Sequence, residues 1–248
     1  MIEVRDVRKN FGSQEVLRGV SLRIGTGEAV VIIGRSGGGK SILLKHLIGL
    51  LRPDSGEVEV DGQDLAHMSE RNLLKMRRKF GMLFQMAALF DSLTVFENVG
   101  FALRREGNHT EAEMRAKVAE ALAMVELPGI ENKMPSELSG GMRKRVGLAR
   151  AIVYRPEIVL YDEPTTGLDP VAGDRIDRLI RRVWETLKVT SIAVTHDMKS
   201  ARTISNRILM LHEGRIYADA PTEEILSSGD PVIHNFVNGL SLNVPARL

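Results

Sequence analysis

The sequence predicts an α/β fold organised around a phosphate-binding loop. Residues 34–41, Gly-Arg-Ser-Gly-Gly-Gly-Lys-Ser, fit the pattern G-x-x-x-x-G-K-S. The apolar, β-branched run 30–33 precedes them, and a leucine-rich segment follows. Two further apolar runs, 158–163 and 191–195, end in Asp162-Glu163 and before His196. Since the carboxyl ends of parallel strands meet at one edge of a sheet, these groups should face a shared ligand.

The composition is that of an ordinary globular chain. Of the 248 residues, 43% are hydrophobic and 27% charged, the net charge is +2, and there is no cysteine. Disulfides and thiolate metal sites are therefore excluded, and no strong overall field favours nucleic acid. No apolar run approaches the roughly 20 residues that span a bilayer, and the N-terminus does not resemble a signal peptide. We therefore expect any membrane association to depend on a partner.

The first 33 residues predict β-structure. Ile2, Val4 and Val7 are spaced for a strand, a turn is predicted at 10–13, and 16–24 resumes strand-like spacing. Phe11 lies in the predicted turn, where it either stacks on a purine base or plugs a small sheet. The sequence leaves these two interpretations open.

The loop itself carries the chemistry of phosphate recognition. Its glycines allow the backbone to approach phosphate oxygens closely, and the helix that follows points its N-terminus at the same place. We predict that this helix extends through Leu51 and is buried on most faces. Lys40 is expected to reach the β- and γ-phosphates, and Ser41 to bind Mg²⁺. The predicted phosphate-binding residues are Gly34, Arg35, Ser36, Gly37, Gly38, Gly39, Lys40 and Ser41.

The middle of the chain alternates strand and helix patterns. A basic helix is predicted over 69–79, and a solvated face is favoured over a nucleic-acid patch because no aromatic residues interleave the charges. A strand over 80–84 ends at Gln85. The run 86–96 is unusually apolar for a connection, so it is either core or part of a partner-binding groove. A helix is predicted over 111–127, with Met114, Val118, Leu122 and Val125 on one face.

The second half supplies the remaining polar groups. Asp162 is predicted to hold Mg²⁺, and Glu163 to orient or deprotonate an attacking water. His196 ends the third apolar strand and is expected to join them. A hairpin is predicted around Glu213-Gly214.

At Leu138-Ser139-Gly140-Gly141 the chain resembles the ATP-binding-cassette (ABC) ATPases, over roughly residues 1–225. The resemblance implies a P-loop core with a RecA-like sheet, an N-terminal antiparallel β-subdomain and an inserted helical subdomain. The implied domain division is 1–85, 86–150, 151–225 and a tail, 226–248.

The resemblance also assigns roles to individual residues. It implies that Phe11 stacks on adenine, Gln85 contacts the γ-phosphate and Mg²⁺, Asp169 is the D-loop aspartate, and His196 is the switch histidine. Ser139, Gly140 and Gly141 would act on ATP held by a second copy, so a homodimer is implied. The predicted catalytic residues are thus Lys40, Glu163 and His196, the predicted metal ligands Ser41, Gln85 and Asp162, and the cofactors ATP and Mg²⁺. Met142 replaces the family's usual glutamine.

Within that family, residues 81–99, 134–142 and 230–239 resemble the Mla/Mce-type phospholipid transport ATPases. This resemblance implies a subunit at the cytoplasmic face of the inner membrane that is bound to a permease. We expect a cytoplasmic helix of the permease to dock in a groove lined by part of the run 86–96. A small regulatory subunit and a periplasmic lipid-binding protein are further implied partners, and nucleic acid is not. The alternatives are the ATPase of a polar-solute importer, such as one for amino acids, and a soluble ABC protein acting on DNA or ribosomes.

Overall fold

The computed structural model describes residues 1–240. Its strands are β1 (Ile2–Phe11), β2 (Gln14–Ile24), β3 (Ala29–Ile33), β4 (Ser55–Val60), β5 (Gln63–Asp64), β6 (Phe80–Leu83), β7 (Ile158–Asp162), β8 (Thr190–Val194), β9 (Arg207–His212) and β10 (Arg215–Pro221). Its α-helices are α1 (Lys40–Leu47), α2 (Glu70–Arg77), α3 (Val95–Glu106), α4 (Glu111–Met124), α5 (Gly140–Ile152), α6 (Pro170–Leu187), α7 (Met198–Ile204), α8 (Thr222–Leu226) and α9 (Pro231–Val237).

The strands form two sheets of different kinds. One is antiparallel, in the order β2-β1-β4-β5. The other has the order β10-β9-β3-β8-β7-β6, and its strands are parallel except for β10, which pairs antiparallel with β9. The β9–β10 hairpin predicted around Glu213-Gly214 is therefore confirmed. So is the fold class, an α/β core with an N-terminal antiparallel sheet.

The parallel sheet is buried on both faces, as such sheets require. Along β3, Val31 and Ile33 point into a core shared with the helices α3 to α6, whereas Val30 and Ile32 point into a second core. That second core joins α1 to the antiparallel sheet. The strand that leads into the phosphate-binding loop is thus fixed from two sides.

Two of the three α-helices between β6 and β7 follow strong local signals. Thr94 and Thr110 each begin a helix with a reciprocal capping box, to Glu97 and Glu113 respectively. The predicted apolar face of α4 is buried, although the helix ends at Met124, earlier than predicted. The division into domains stays a prediction, and residues 241–248 of its tail lie outside the described part of the chain.

The helix after the phosphate-binding loop is shorter than predicted. It ends at Leu47, because Gly49 adopts φ +64° and a Schellman motif follows. In this motif the Leu50 amide donates to the Lys45 carbonyl at 2.8 Å, and the Gly49 amide to that of His46 at 2.9 Å. Leu50 is consequently exposed rather than buried.

Two other local predictions change in detail. The turn predicted at 10–13 narrows to residues 12 and 13, because β1 continues to Phe11 and pairs with Gln14. The basic helix is α2, which Ser69 caps by accepting a hydrogen bond from the Asn72 amide. Within residues 1–240, no helix combines the length and apolar character needed to cross a membrane.

Candidate functional site

The phosphate-binding loop connects the end of β3 to the first turn of α1. Gly39 precedes α1 with φ +95° and offers no side-chain cap, so the first amides of the helix stay available for an anion. At Gly34, a β-carbon would lie 2.3 Å from the carbonyl oxygen of Leu211. Only glycine fits there, because β9 packs directly against the loop.

Lys40 is buried inside this loop. Its ammonium donates to the carbonyl oxygens of Gly34 at 2.8 Å and Arg35 at 3.1 Å. It also lies 3.8 Å from Oε1 of Glu163. Burial lowers the pKa of Lys40, while the carboxylates of Glu163 and Asp162 oppose the shift. The positive charge is therefore held within the loop and close to the carboxylate pair.

Ser41 and Asp162 supply neighbouring oxygens. The Ser41 hydroxyl donates to Oδ1 of Asp162 at 2.7 Å. Among residues 1–240, no cluster of three or more histidine, aspartate or glutamate side chains is arranged to hold a metal. A hydroxyl beside a carboxylate nevertheless fits Mg²⁺, which prefers oxygen and completes its shell with water and substrate phosphates.

Glu163 lies at the centre of the site and is only 8% exposed. Its Oε2 lies 2.9 Å from Nδ1 of His196 and accepts a hydrogen bond from the Thr166 hydroxyl at 3.2 Å. Its backbone is in the left-handed region, φ +47°, directly after β7 ends. This conformation turns the side chain out of the sheet and toward the loop.

These groups line one cavity of about 330 Å³. The lining residues are Ser36, Gly37, Gly39, Lys40, Ser41, Ile42, Gln85, Glu163, Thr166 and His196. The structure thus brings together the phosphate-binding loop, Gln85 and the ends of two further strands. Thr166 was missed by sequence reasoning, since a threonine in a loop carries no signal of its own.

The residues Ser139, Gly140 and Gly141 lie elsewhere. They line a second cavity of about 380 Å³, together with Asp169 and the start of α6. Ser139 caps α5 by accepting from the Met142 amide at 3.3 Å, and Asp169 caps α6 in the same manner. One chain therefore carries two separate surfaces, and their predicted roles stay predictions.

Phe11 lies at the end of β1 and does not line the first cavity. Its side chain is 46% exposed, and the Lys9 ammonium lies 5.7 Å from the ring centroid. A ring this exposed is not a plug in the sheet. Its exposure favours the stacking interpretation, which stays a prediction.

Two buried charged residues were not predicted. Lys144 on α5 is 5% exposed and its ammonium donates to the Glu163 carbonyl oxygen at 3.2 Å. Asp177 on α6 is 3% exposed. Lys144 lies between two arginines in the sequence and carries no signal of burial, whereas Asp177 did carry one. It follows Ile176 and precedes Ile180 by three residues, which places it on the apolar face of its helix.

A phosphate-binding loop whose lysine and serine face a carboxylate pair on the same parallel sheet defines the class of P-loop ATPases. Residues 17–166 match the family described as "ABC transporter". The chain belongs to this family.

Individual relatives extend the match to nearly the whole chain. A "Probable ribonucleotide transport ATP-binding protein mkl" of Mycobacterium tuberculosis is 44% identical over 96% of this chain and 66% of its own length. A "Sulfate/thiosulfate import ATP-binding protein CysA" of Bradyrhizobium diazoefficiens is 40% identical over 100% of this chain and 71% of its own. The "Intermembrane phospholipid transport system ATP-binding protein MlaF" of Haemophilus influenzae is 38% identical over 97% of this chain and 91% of its own.

Among solved structures, the fold matches the "Dimeric structure of a post-hydrolysis state of the ATP-binding cassette MJ0796 bound to ADP and Pi". The TM-score is 0.82 at 36% identity, over 90% of this chain and 99% of that one. The fold of this chain is thus that of an ATP-binding cassette. The chain spans 66% of the length of the mycobacterial relative, or just under two thirds.

Proposed function

We propose that this chain is the ATP-hydrolysing subunit of an ABC transporter, that two copies close around two ATP molecules, and that the transported molecule is a phospholipid. One observation carries the hydrolytic part. The buried carboxylate of Glu163 lies between the Lys40 ammonium, at 3.8 Å, and Nδ1 of His196, at 2.9 Å. In the proposed mechanism, this carboxylate accepts the proton of the attacking water beside the ammonium group that would bind the γ-phosphate.

The residues then divide the work of phosphoryl transfer to water. Lys40 and the amides at the start of α1 bind the β- and γ-phosphates. Ser41, Asp162 and Gln85 would hold Mg²⁺, which neutralises charge on the phosphates when bound. Glu163 orients the attacking water and accepts its proton, and His196 fixes the orientation of that carboxylate.

The proposed dimer rests on the separation of the two cavities. Ser139 and Gly141 line a surface that is distinct from the cavity around Lys40. A γ-phosphate bound at Lys40 would therefore need these donors from a second copy. The dimeric structure named above supports the arrangement, because that cassette is a dimer and holds ADP and Pi.

The experiment that tests the hydrolytic assignment compares Glu163→Gln with Lys40→Ala. Glu163→Gln should bind Mg-ATP, form a stable dimer, and lose about two or more orders of magnitude in phosphate release. Lys40→Ala should not bind ATP and should stay monomeric. Both are measured by size-exclusion chromatography with Mg-ATP and by phosphate release. Glu120→Gln, which removes an exposed carboxylate on α4, is the control. Hydrolysis by Glu163→Gln at the parental rate would refute the assignment.

The surface proposed for the permease differs from the one predicted. Within the run 86–96, Met86 is 85% exposed and Phe90 is also exposed, but Leu89 packs against the core. The nearby groove, of about 440 Å³, contains no residue of this run. Its lining residues are Leu74, Arg77, Arg78, Ala102, Arg105, Glu106 and Tyr154.

One contact brings the exposed part of the run near the helix that lines the groove. Phe90 contacts Phe101 of α3, with ring centroids 4.9 Å apart, and Phe101 directly precedes the groove residue Ala102. We therefore propose that a cytoplasmic helix of the permease docks at this surface between α2 and α3, where the charged side chains of Arg77, Arg78, Arg105 and Glu106 surround Leu74, Ala102 and Tyr154. The chain would sit at the cytoplasmic face of the inner membrane through that contact.

Phospholipid is proposed as cargo on the strength of the relation to MlaF. This chain spans 91% of that relative, but 66% of the mycobacterial protein and 71% of the sulfate/thiosulfate relative. A small regulatory subunit and a periplasmic lipid-binding protein are the further partners that this cargo implies. The second candidate, import of a small polar solute, is supported by the name of the sulfate/thiosulfate relative.

A reconstituted complex separates the two cargoes. The chain is co-purified with its permease and placed in proteoliposomes that contain a fluorescent phospholipid. ATP-dependent movement of that lipid, abolished by Glu163→Gln, is the expected result. ATP-dependent sulfate uptake without lipid movement would favour the second candidate.

A further inference from the structure

We propose that Lys144 is a positioning residue that holds the main chain of Glu163 from the helix α5 of the same chain, and so links the carboxylate to the Ser139–Gly141 surface. The inference rests on the proposed function, since it gives Glu163 and Ser139 their roles at ATP. Lys144 would connect the two cavities of one chain, and no other residue described above makes such a connection.

The environment of Lys144 is unusual for a lysine. Its side chain is almost fully buried, and its hydrogen bond to the Glu163 carbonyl is the one it makes within residues 1–240. Burial is the main cause that lowers its pKa, while the charges of Asp162 and Glu163 oppose that shift. Burying an ammonium group costs free energy unless nearby negative charge compensates it. The position of Lys144 beside the carboxylates of Asp162 and Glu163 therefore calls for a structural explanation.

The conformation of Glu163 provides that explanation. Its amide still donates to the Val194 carbonyl at 3.0 Å, but its own carbonyl has left the strand because φ is +47°. That carbonyl accepts from the Thr166 amide at 3.3 Å and from Lys144 at 3.2 Å. A left-handed backbone is unfavourable for a residue with a β-carbon, and it persists only where its surroundings hold it. Lys144 is a direct restraint on this peptide from outside its own loop.

Helix α5 carries the restraint to the second cavity. Ser139 caps the helix and Lys144 follows five residues later, which corresponds to roughly 7 Å along the axis. In the proposed dimer, Ser139 contacts ATP bound to the partner, while Lys144 of the same helix holds this chain's own Glu163. A displacement of α5 when the partner's ATP is engaged would therefore move the Glu163 peptide directly.

The first experiment separates positioning from folding and from nucleotide binding. Lys144→Met keeps the length of the side chain but removes the charge and the donor. We expect unchanged ATP affinity, a fall in kcat of about tenfold or more, and a Hill coefficient for ATP closer to 1. Lys117→Met, on α4 and away from both cavities, is the matched control and should change none of these. A parental kcat and Hill coefficient for Lys144→Met would overturn the proposal.

The second experiment uses mixed dimers with the same substitutions in two arrangements. In the split arrangement, one chain carries Lys144→Met and the other Glu163→Gln. In the joint arrangement, one chain carries both substitutions and the other none. Two different affinity tags select the mixed dimers, and phosphate release is measured at saturating ATP.

The two mixed dimers should differ in their rates of phosphate release. Only the split arrangement pairs the remaining Glu163 with a methionine at 144 of its own chain, so it should be about tenfold or more slower than the joint arrangement. Equal rates would show that Lys144 does not act on its own Glu163. Failure of the Glu163 assignment itself is recognised separately, because the homodimer of Glu163→Gln would then remain active.

Discussion

Replacing Asp177 by asparagine should change how the stability of the protein depends on pH. Oδ2 of Asp177 accepts from the Ser200 hydroxyl at 2.8 Å, and its buried Oδ1 has no hydrogen-bond partner among the described residues. Burial raises the pKa of Asp177 to about 7; the charges of Asp197 and Asp174 add to this, whereas Ser200 and Lys199 oppose it.

The sign of the effect follows from the two pKa values. The pKa of Asp177 is about 7 in the folded chain and near the ordinary aspartate value of 3.8 in the unfolded one. Below pH 4 both states bind the proton. Between pH 4 and 7 only the folded state keeps it, so stability falls as pH rises through this interval. From pH 5 to pH 8 the loss amounts to about 2–3 kcal/mol.

Thermal unfolding measures this loss. The melting temperature of Asp177→Asn, relative to the parent, should rise by about 5–10 °C between pH 5 and pH 8. Asp174→Asn is the matched control, because it removes a carboxylate from the same helix. The ion partners Arg178 and Lys199 lower the pKa of Asp174, so its own contribution to stability is lost only as pH falls through the acid range. Its charge is a minor cause of the raised pKa of Asp177, so the difference between Asp174→Asn and the parent should change much less over pH 5–8 than that of Asp177→Asn.

If the difference between Asp177→Asn and the parent were constant from pH 5 to pH 8, Asp177 would be ionised throughout. The buried, partly unpaired carboxyl would then not be the source of any proton uptake on folding.

The other predictions concern nucleotide and partner binding. Phe11→Ala should raise the KM for ATP with little change in kcat, since stacking is equal in the ground and transition states; an unchanged KM in steady-state assays would count against stacking. Met142→Gln should leave phosphate release within about twofold of the parent, because the proposed contacts come from Ser139 and backbone amides; a larger change would implicate the side chain. Leu74→Asp should abolish co-purification of the permease but leave the ATPase rate of the isolated subunit unchanged. Asn72→Asp adds the same charge to the same helix outside the groove and should change neither co-purification nor the ATPase rate. If the permease still co-purified with Leu74→Asp, the groove would be excluded as its docking site.

The sequence was sufficient for features that depend on local pattern. The strands β3, β7 and β8 are short continuous apolar runs, which in a parallel sheet are buried on both faces. The residues at their ends meet around one cavity, as the carboxyl-edge rule anticipates. Roles at ATP still depend on the assays above.

Features that depend on contacts between distant parts of the chain could not be predicted from local sequence patterns. Lys144 is one of three consecutive basic residues, and nothing nearby in the sequence indicates that its side chain is buried and donates to the Glu163 carbonyl. Leu50 continues an apolar run, yet a glycine in the left-handed region ends the helix before it. The groove beside α3 combines residues from separate segments, so no single run of the sequence indicates it.

The presence of Lys40 and Ser139 in different cavities of one chain has a genetic consequence. In the proposed dimer, a chain with a defective phosphate-binding loop still lends an intact Ser139 surface to its partner. A chain with a defective Ser139 surface still offers an intact loop. A cell that expresses one allele of each type would assemble dimers in which one composite site is wild type and the other carries both lesions. Two alleles that are each inactive as homodimers should therefore complement one another, whereas two different lesions of the loop should not.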